Sequence, residues 1–133
     1  MLTLAHVKKR FGERQILKDV SFTVPEHSVF GFVGQNGAGK TTTMKLILGL
    51  MEADEGTILV HGERVSFGNT ATNRYIGYLP DVPEFYSYMK PAEYLRFCGE
   101  IAGIPSAQLK KRIDDMLCLV GLDSADKRIR GFS

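Results

Sequence analysis

Residues 29–49, VFGFVGQNGAGKTTTMKLILG, restrict the possible fold more than any other stretch. Val29 to Val33 lack the polar alternation of a half-exposed strand. They predict a strand buried on both faces, as in a parallel sheet. Glycines follow at 34, 37 and 39, then Lys40 and three threonines. Beyond them a helix is predicted to about Leu48, with Gly49 suited to its end. Gly34, Gly39, Lys40 and Thr41 satisfy the spacing G-x-x-x-x-G-K-[ST] between a strand and a helix. Glycines let backbone N–H groups converge on an anion without side-chain obstruction. A helix starting there adds unpaired N–H groups and the positive end of its dipole.

Such a loop binds phosphates. The expected contacts run over Gly34, Asn36, Gly37, Ala38 and Gly39, with Lys40 supplying a compact charge for β- and γ-phosphates. The Thr41 hydroxyl suits Mg²⁺, a hard cation that takes oxygen ligands. Thr42 offers one more phosphate contact. The loop alone does not say which nucleotide is held or whether it is cleaved. No N-K-x-D guanine reader occurs in the 133 residues, so a GTPase would need one beyond Ser133. A small-molecule kinase would carry its loop near the start, without antiparallel strands before it.

The rest of the chain supplies context. Leu2, Leu4 and His6 alternate with Thr3, Ala5 and Val7, predicting a half-buried strand. After a turn at Gly12–Glu13, Val20, Phe22 and Val24 alternate with Asp19, Ser21 and Thr23 in an antiparallel pattern. GTILVHGERV predicts two short strands about a His61–Gly62 turn. YIGYLP predicts another buried strand, stopped by Pro80. Beyond it the chain reads as helical. One helix starts at Pro91, with Pro91, Tyr94, Leu95, Cys98, Ile101 and Ala102 on one face. A second is capped by Ser106, with Leu109, Ile113, Met116, Leu117 and Val120 on its face, and ends at Gly121.

Apolar residues make up 44% and charged residues 24%, enough for a core under an ordinary soluble surface. The net charge of +2 gives no field for nucleic acid, so none is expected as a partner. Lys8-Lys9-Arg10 and Lys110-Lys111-Arg112 read as solvated strand-end and helix faces. The start of the chain is not a signal peptide, and no apolar run is long enough to span a membrane. Cys98 and Cys118 lack metal or redox spacing and read as buried free thiols. His6, His27 and His61 are scattered and read as structural or exposed.

From its second residue to Val65 the chain resembles the nucleotide-binding domain of ABC transporters, most closely the multidrug and antibiotic (bacitracin-type) exporter branch. IGYLPDVPEFYSYMKPAEYLRFCGEIAGI continues the resemblance into a helical subdomain. It implies an α/β P-loop NTPase: an antiparallel β subdomain, part of a parallel sheet, and the start of the helical subdomain. Residues 1–80 would form the β subdomain and loop core, and 81–133 the Q-loop region and first helices of a single partial domain. Phe11 falls where an aromatic A-loop residue stacks on adenine, although core packing suits it too. Asp81 stands where the family has its Q-loop glutamine; Gln15, Gln35 and Gln108 cannot serve there. Asp81 is either a second Mg²⁺ ligand or a turn residue in PDVP.

RGFS, ending at Ser133, looks like the opening of the signature motif. The resemblance implies that the rest of that motif, the Walker B carboxylates, the D-loop and the switch histidine follow it. On that basis no catalytic set is complete within the 133 residues, and they would bind ATP and Mg²⁺ without turnover. The implied partners are a transmembrane permease subunit and a second nucleotide-binding domain. The implied location is cytoplasmic, at the inner face of the membrane. Two rivals remain open: a soluble non-transport ABC ATPase, and a truncated nucleotide-binding fragment.

Overall fold

The computed structural model describes residues 1–132. Ser133, the expected signature serine, lies outside the described residues. The chain divides into two units, Met1–Tyr78 and a second starting at Leu79.

In the first unit, β1 (Leu2–Phe11) and β2 (Arg14–Val24) form an antiparallel hairpin. Its two-residue turn, Gly12–Glu13, puts Gly12 at φ 57°, the geometry that matches hairpin twist when glycine comes first. β3 (Glu55–Val60) pairs with the other edge of β1, and β4 (Glu63–Arg64) with β3, giving the order β2-β1-β3-β4. The turn between β3 and β4 places His61 and Gly62 at φ 49° and 80°, the paired left-handed residues of a type I′ turn. α1 (Lys40–Ile47) lies on the sheet. Leu4, Val7, Leu17 and Ile58 from the strands meet Leu46 and Ile47 in the core. Each such burial is worth about 1.5–3 kcal/mol.

The alternation predicted for β1 does not persist. Leu4 and Val7 are buried, while His6 is exposed. His6 takes φ 53°, and the register with both neighbouring strands shifts around it. It is therefore a β-bulge, which puts Val7 on the buried face in place of His6. Opposite the bulge, Gly56 takes φ 92°, and a Cβ there would collide with the carbonyl oxygens of His6 and Ala5. His27, at φ 57°, is the third histidine in the left-handed region. All three histidines are exposed, at bulge or turn positions.

Two predicted strands are corrected. Residues 29–33 and 76–80 form no ladder among the described residues. Val29 is fully exposed and Val33 is 91% exposed, not buried on both faces. Phe30 and Phe32 pack instead on Phe22 of β2 at ring separations of 5.0 and 5.4 Å, with Phe30 still 44% exposed. A strand is secured by hydrogen-bonded neighbours, and here both segments line an apolar cavity of about 620 Å³. The basic strand end is also corrected. Lys8 pairs with Glu55 at 2.6 Å and Lys9 with Asp54 at 2.8 Å, so neither is simply solvated.

In the second unit, α2 (Pro91–Ile101) and α3 (Ser106–Leu119) pack through Leu95, Ile104, Leu109, Ile113 and Leu117. Pro91 is the first helical residue, as expected, and the Glu93 carboxylate accepts the Lys90 N–H at 2.8 Å. Ser106 is not a cap: it is already helical, and Pro105 stands before it. Ile101, Met116 and Val120 are exposed rather than on a buried face, and Cys118 is exposed rather than buried. Lys110, Lys111 and Arg112 are exposed, as expected.

The three α-helices of the described residues end in the same device. Gly49, Gly103 and Gly121 have φ of 68°, 73° and 69°. Each donates its N–H to the carbonyl three residues back, and the next residue donates to the carbonyl five back. This is the Schellman motif, in which a left-handed glycine satisfies otherwise orphaned carbonyls.

Gly56→Ala puts a methyl group against two carbonyl oxygens at a positive φ. It should destabilise the fold by at least about 2 kcal/mol, read as a lower denaturant midpoint. An unchanged midpoint would show that the bulge is not held by that close approach.

Candidate functional site

After β2 the chain reverses at Pro25, whose carbonyl accepts a hydrogen bond from Ser28 Oγ at 2.7 Å. It returns through Phe30 and Phe32 to the glycine loop. Gly37 and Gly39 take φ of 82° and 95°, which side chains rarely adopt. Gly39 also seats the loop on the sheet. A Cβ there would lie 2.6 Å from Leu17 Cδ2 and 3.2 Å from Ile16 Cγ2. A side chain at 39 would have to displace Leu17 and adopt a strained positive φ, so glycine suits the seat of α1 on β2.

Thr43, fully buried, fixes that turn further. Its N–H and its Oγ1 both donate to the Gly39 carbonyl, at 2.8 and 2.9 Å. Lys40 Nζ folds back across the loop and donates to the carbonyls of Gly34 and Gln35, at 2.5 and 2.9 Å. Ala38 N–H donates to Gln35 at 3.1 Å, tightening the same turn.

The structure thus brings Lys40 together with Gly34 and the loop. Gly34, Asn36, Gly37 and Ala38 are exposed, and Gly39 is buried. Thr41 is exposed on the first turn of α1, with no side-chain hydrogen bond among the described residues, and Thr42 is half-buried. No acidic residue occupies that first turn, so nothing on it opposes an anion. Phe11 closes the β1–β2 hairpin, half-exposed, with Lys9 Nζ 5.7 Å from its ring centre. Its cross-strand partner is Arg14. Asp81 belongs to the second unit, where it is exposed in a bend.

The profile describing ABC transporters matches residues 17–133. The chain belongs to the ABC transporter family. It is similar over its whole length to the uncharacterized ABC transporter ATP-binding protein YxlF of Bacillus subtilis, at 40% identity and covering 44% of that protein. With the bacitracin transport ATP-binding protein BcrA of Bacillus licheniformis it shares 34% identity over 92% of this chain and 39% of that one. Among solved structures, one described as the ATP binding subunit of an ABC transporter superposes with a TM-score of 0.86 at 30% identity. That match covers 100% of this chain and 56% of the other. The chain therefore spans less than half the length of these curated relatives. The α/β fold class read from the sequence stands, and the glycine loop is the Walker A loop of an ABC domain. Family membership carries nucleotide binding as its general property.

Three residues of this ABC domain escaped the sequence reading: Thr43, Arg14 and Asp54. Thr43 is one of three consecutive threonines, and nothing in the sequence marks it as the buried one. Asp54 clips the strand that carries Phe11. Its two carboxylate oxygens accept Lys9 Nζ at 2.8 Å and the Arg10 N–H at 2.7 Å. Its own N–H donates to the Lys8 carbonyl at 3.0 Å. The Lys9 hydrogen bond, and then the Arg10 N–H, hold the Asp54 carboxyl below the usual aspartate range.

Because the folded pKa of Asp54 is depressed, its contribution is present above the unfolded value of about 3.9. It is lost as pH falls through the folded value. Asp54→Asn should therefore lower the unfolding midpoint at neutral pH, with the difference from wild type closing in acid. A difference that stays constant from neutral to strongly acid pH would contradict the carboxylate's role.

Proposed function

We propose that this chain is the nucleotide-holding part of a transporter's ATP-binding subunit, with Mg·ATP at Gly34–Thr42. The observation that carries the reading is the loop itself. Two left-handed glycines, a lysine ammonium at the mouth and a helix start without acidic residues make a cradle for a polyphosphate. Lys40 need not give up its present bonds. An ammonium has three donors, two of which reach Gly34 and Gln35, leaving the third for a phosphate oxygen. The loop carbonyls thereby hold the charge in place before a ligand arrives, so little reorganisation is needed.

The donor set also fits Mg²⁺. Thr41 offers an exposed hydroxyl on the first turn of α1, and a hard cation accepts such an oxygen beside phosphate oxygens. Asp81 is a candidate for a second protein oxygen on the family resemblance alone. When bound, Mg²⁺ neutralises charge between phosphate oxygens. Phe11 offers an exposed π face at the hairpin end, suited to stacking on a purine.

Transport is the context that the relatives' names support, and export rests on the resemblance of the sequence to the bacitracin-type exporter branch. The partners in this reading are a permease subunit and a second nucleotide-binding domain, with ATP hydrolysis a property of the complete protein. No helix of the described residues is long and apolar enough to cross a membrane. Attachment at the cytoplasmic face through the permease belongs to the same reading. The second unit offers an aromatic surface for it: Phe85, Tyr86 and Tyr88 are each about half exposed. Tyr86 packs edge-on against Phe97 at 5.4 Å, and Phe85 against Tyr94 at 5.3 Å. Rigid aromatics are favoured at interface centres.

Calorimetry with Mg·ATP tests the site. Lys40→Ala should weaken binding at least about tenfold, the value of a charge-assisted hydrogen bond. Equal affinities would remove Lys40 from the site. Phe11→Ala should weaken ATP by a stacking contribution of about 1–3 kcal/mol, while Phe11→Tyr stays close to wild type. Unchanged ATP affinity in Phe11→Ala would return Phe11 to a packing role.

A further inference from the structure

Arg14 stands between the two parts of the proposed site. It pairs with Phe11 across the hairpin turn, and directly opposed residues of an antiparallel pair project from the same face. Its guanidinium also reaches the loop: a Cβ built on Gly37 would lie 3.9 Å from Arg14 Nη2. One side chain therefore neighbours both the aromatic platform and the middle of the glycine loop. Lys40 is anchored on a different part of that loop, at Gly34 and Gln35.

Charge balance separates Arg14 from Lys8 and Lys9 of β1, and strand alternation separates it from Arg10, which is opposed to Gln15 and projects from the other face than Phe11. Lys8 and Lys9 are matched by Glu55 and Asp54. Arg14 is exposed and has no ion-pair partner among the described residues. Its neighbour in the turn, Glu13, makes no ion pair with it. A guanidinium presents a planar fork of donors that matches two oxygens of one phosphate, and it stays charged at any working pH.

We infer that Arg14 is a nucleotide-binding residue that holds the α-phosphate, between a base stacked on Phe11 and the terminal phosphates in the loop. The inference rests on the proposed ATP site. A nucleotide with its base on Phe11 and its terminal phosphates near Lys40 must pass its ribose and α-phosphate between the two. Arg14 is the cation found there. Because ATP and ADP share the α-phosphate, Arg14 contributes equally to both and does not sense the γ-phosphate.

The test is calorimetry of ATP and ADP, each with Mg²⁺, on the full chain and on Arg14→Gln and Arg14→Lys. Thermal unfolding is followed alongside. Arg14 is exposed, so both variants should unfold with the wild type. Arg14→Gln should weaken ATP and ADP by the same factor, about tenfold for a charge-assisted contact. Arg14→Lys, which keeps the charge and loses the fork, should fall between. Wild-type affinity for both nucleotides in Arg14→Gln overturns the inference and leaves the ATP site standing. So does a loss confined to ATP, which would place Arg14 at the γ-phosphate. A wild-type chain that binds neither nucleotide overturns the inference and the ATP site together.

Discussion

The close approach of Gly39 to β2 is the contact on which the rest of the first unit depends. It sets the start of α1 directly on Leu17 and Ile16, with no side chain between. That seat lets Leu46 and Ile47 reach the sheet and complete the core with Leu4, Val7 and Ile58. It also fixes the direction in which the free N–H groups of the helix start point. Thr43 reinforces it from inside by placing two donors on the Gly39 carbonyl. The phosphate loop is thus a consequence of packing: its shape follows from how the helix must sit on the hairpin.

The same packing draws the hairpin end toward the loop. Phe11 and Arg14 belong to strands whose register shifts first at the His6 bulge, opposite Gly56, and again between Val7 and Arg10. Asp54 then ties the last residues of β1 to the start of β3 through Lys9, Arg10 and Lys8. Charge pairing and backbone strain outside the loop thus help place an aromatic face and a guanidinium. A shift of one residue in that register would reverse which side chains face the loop.

Much of this was legible in the sequence because the signals were local. The G-x-x-x-x-G-K-T spacing, the His61–Gly62 turn and the terminal glycines of the helices each demand a particular backbone conformation, and they have it. Features set by distant partners were not legible. Alternation in β1 placed His6 in line with Leu2 and Leu4, but a left-handed His6 shifts the face so that Val7 is buried instead. The apolar runs at 29–33 and 76–80 read as buried strands. Composition reports only a capacity for burial, whereas a ladder needs a neighbour. Arg14 carried no signal of its own, since an exposed arginine in a hairpin is ordinary until the loop is seen beside it.

The central claim is that the amides of the glycine loop hold a polyphosphate, with the hairpin end closing over the rest of the nucleotide. Amide hydrogen exchange of the chain, with and without saturating Mg·ATP, measures this most directly. The account predicts protection concentrated at residues 34–42, with a second, weaker band at the Phe11–Arg14 turn. Unchanged exchange at 34–42 under saturating nucleotide, or protection only elsewhere in the chain, would contradict it.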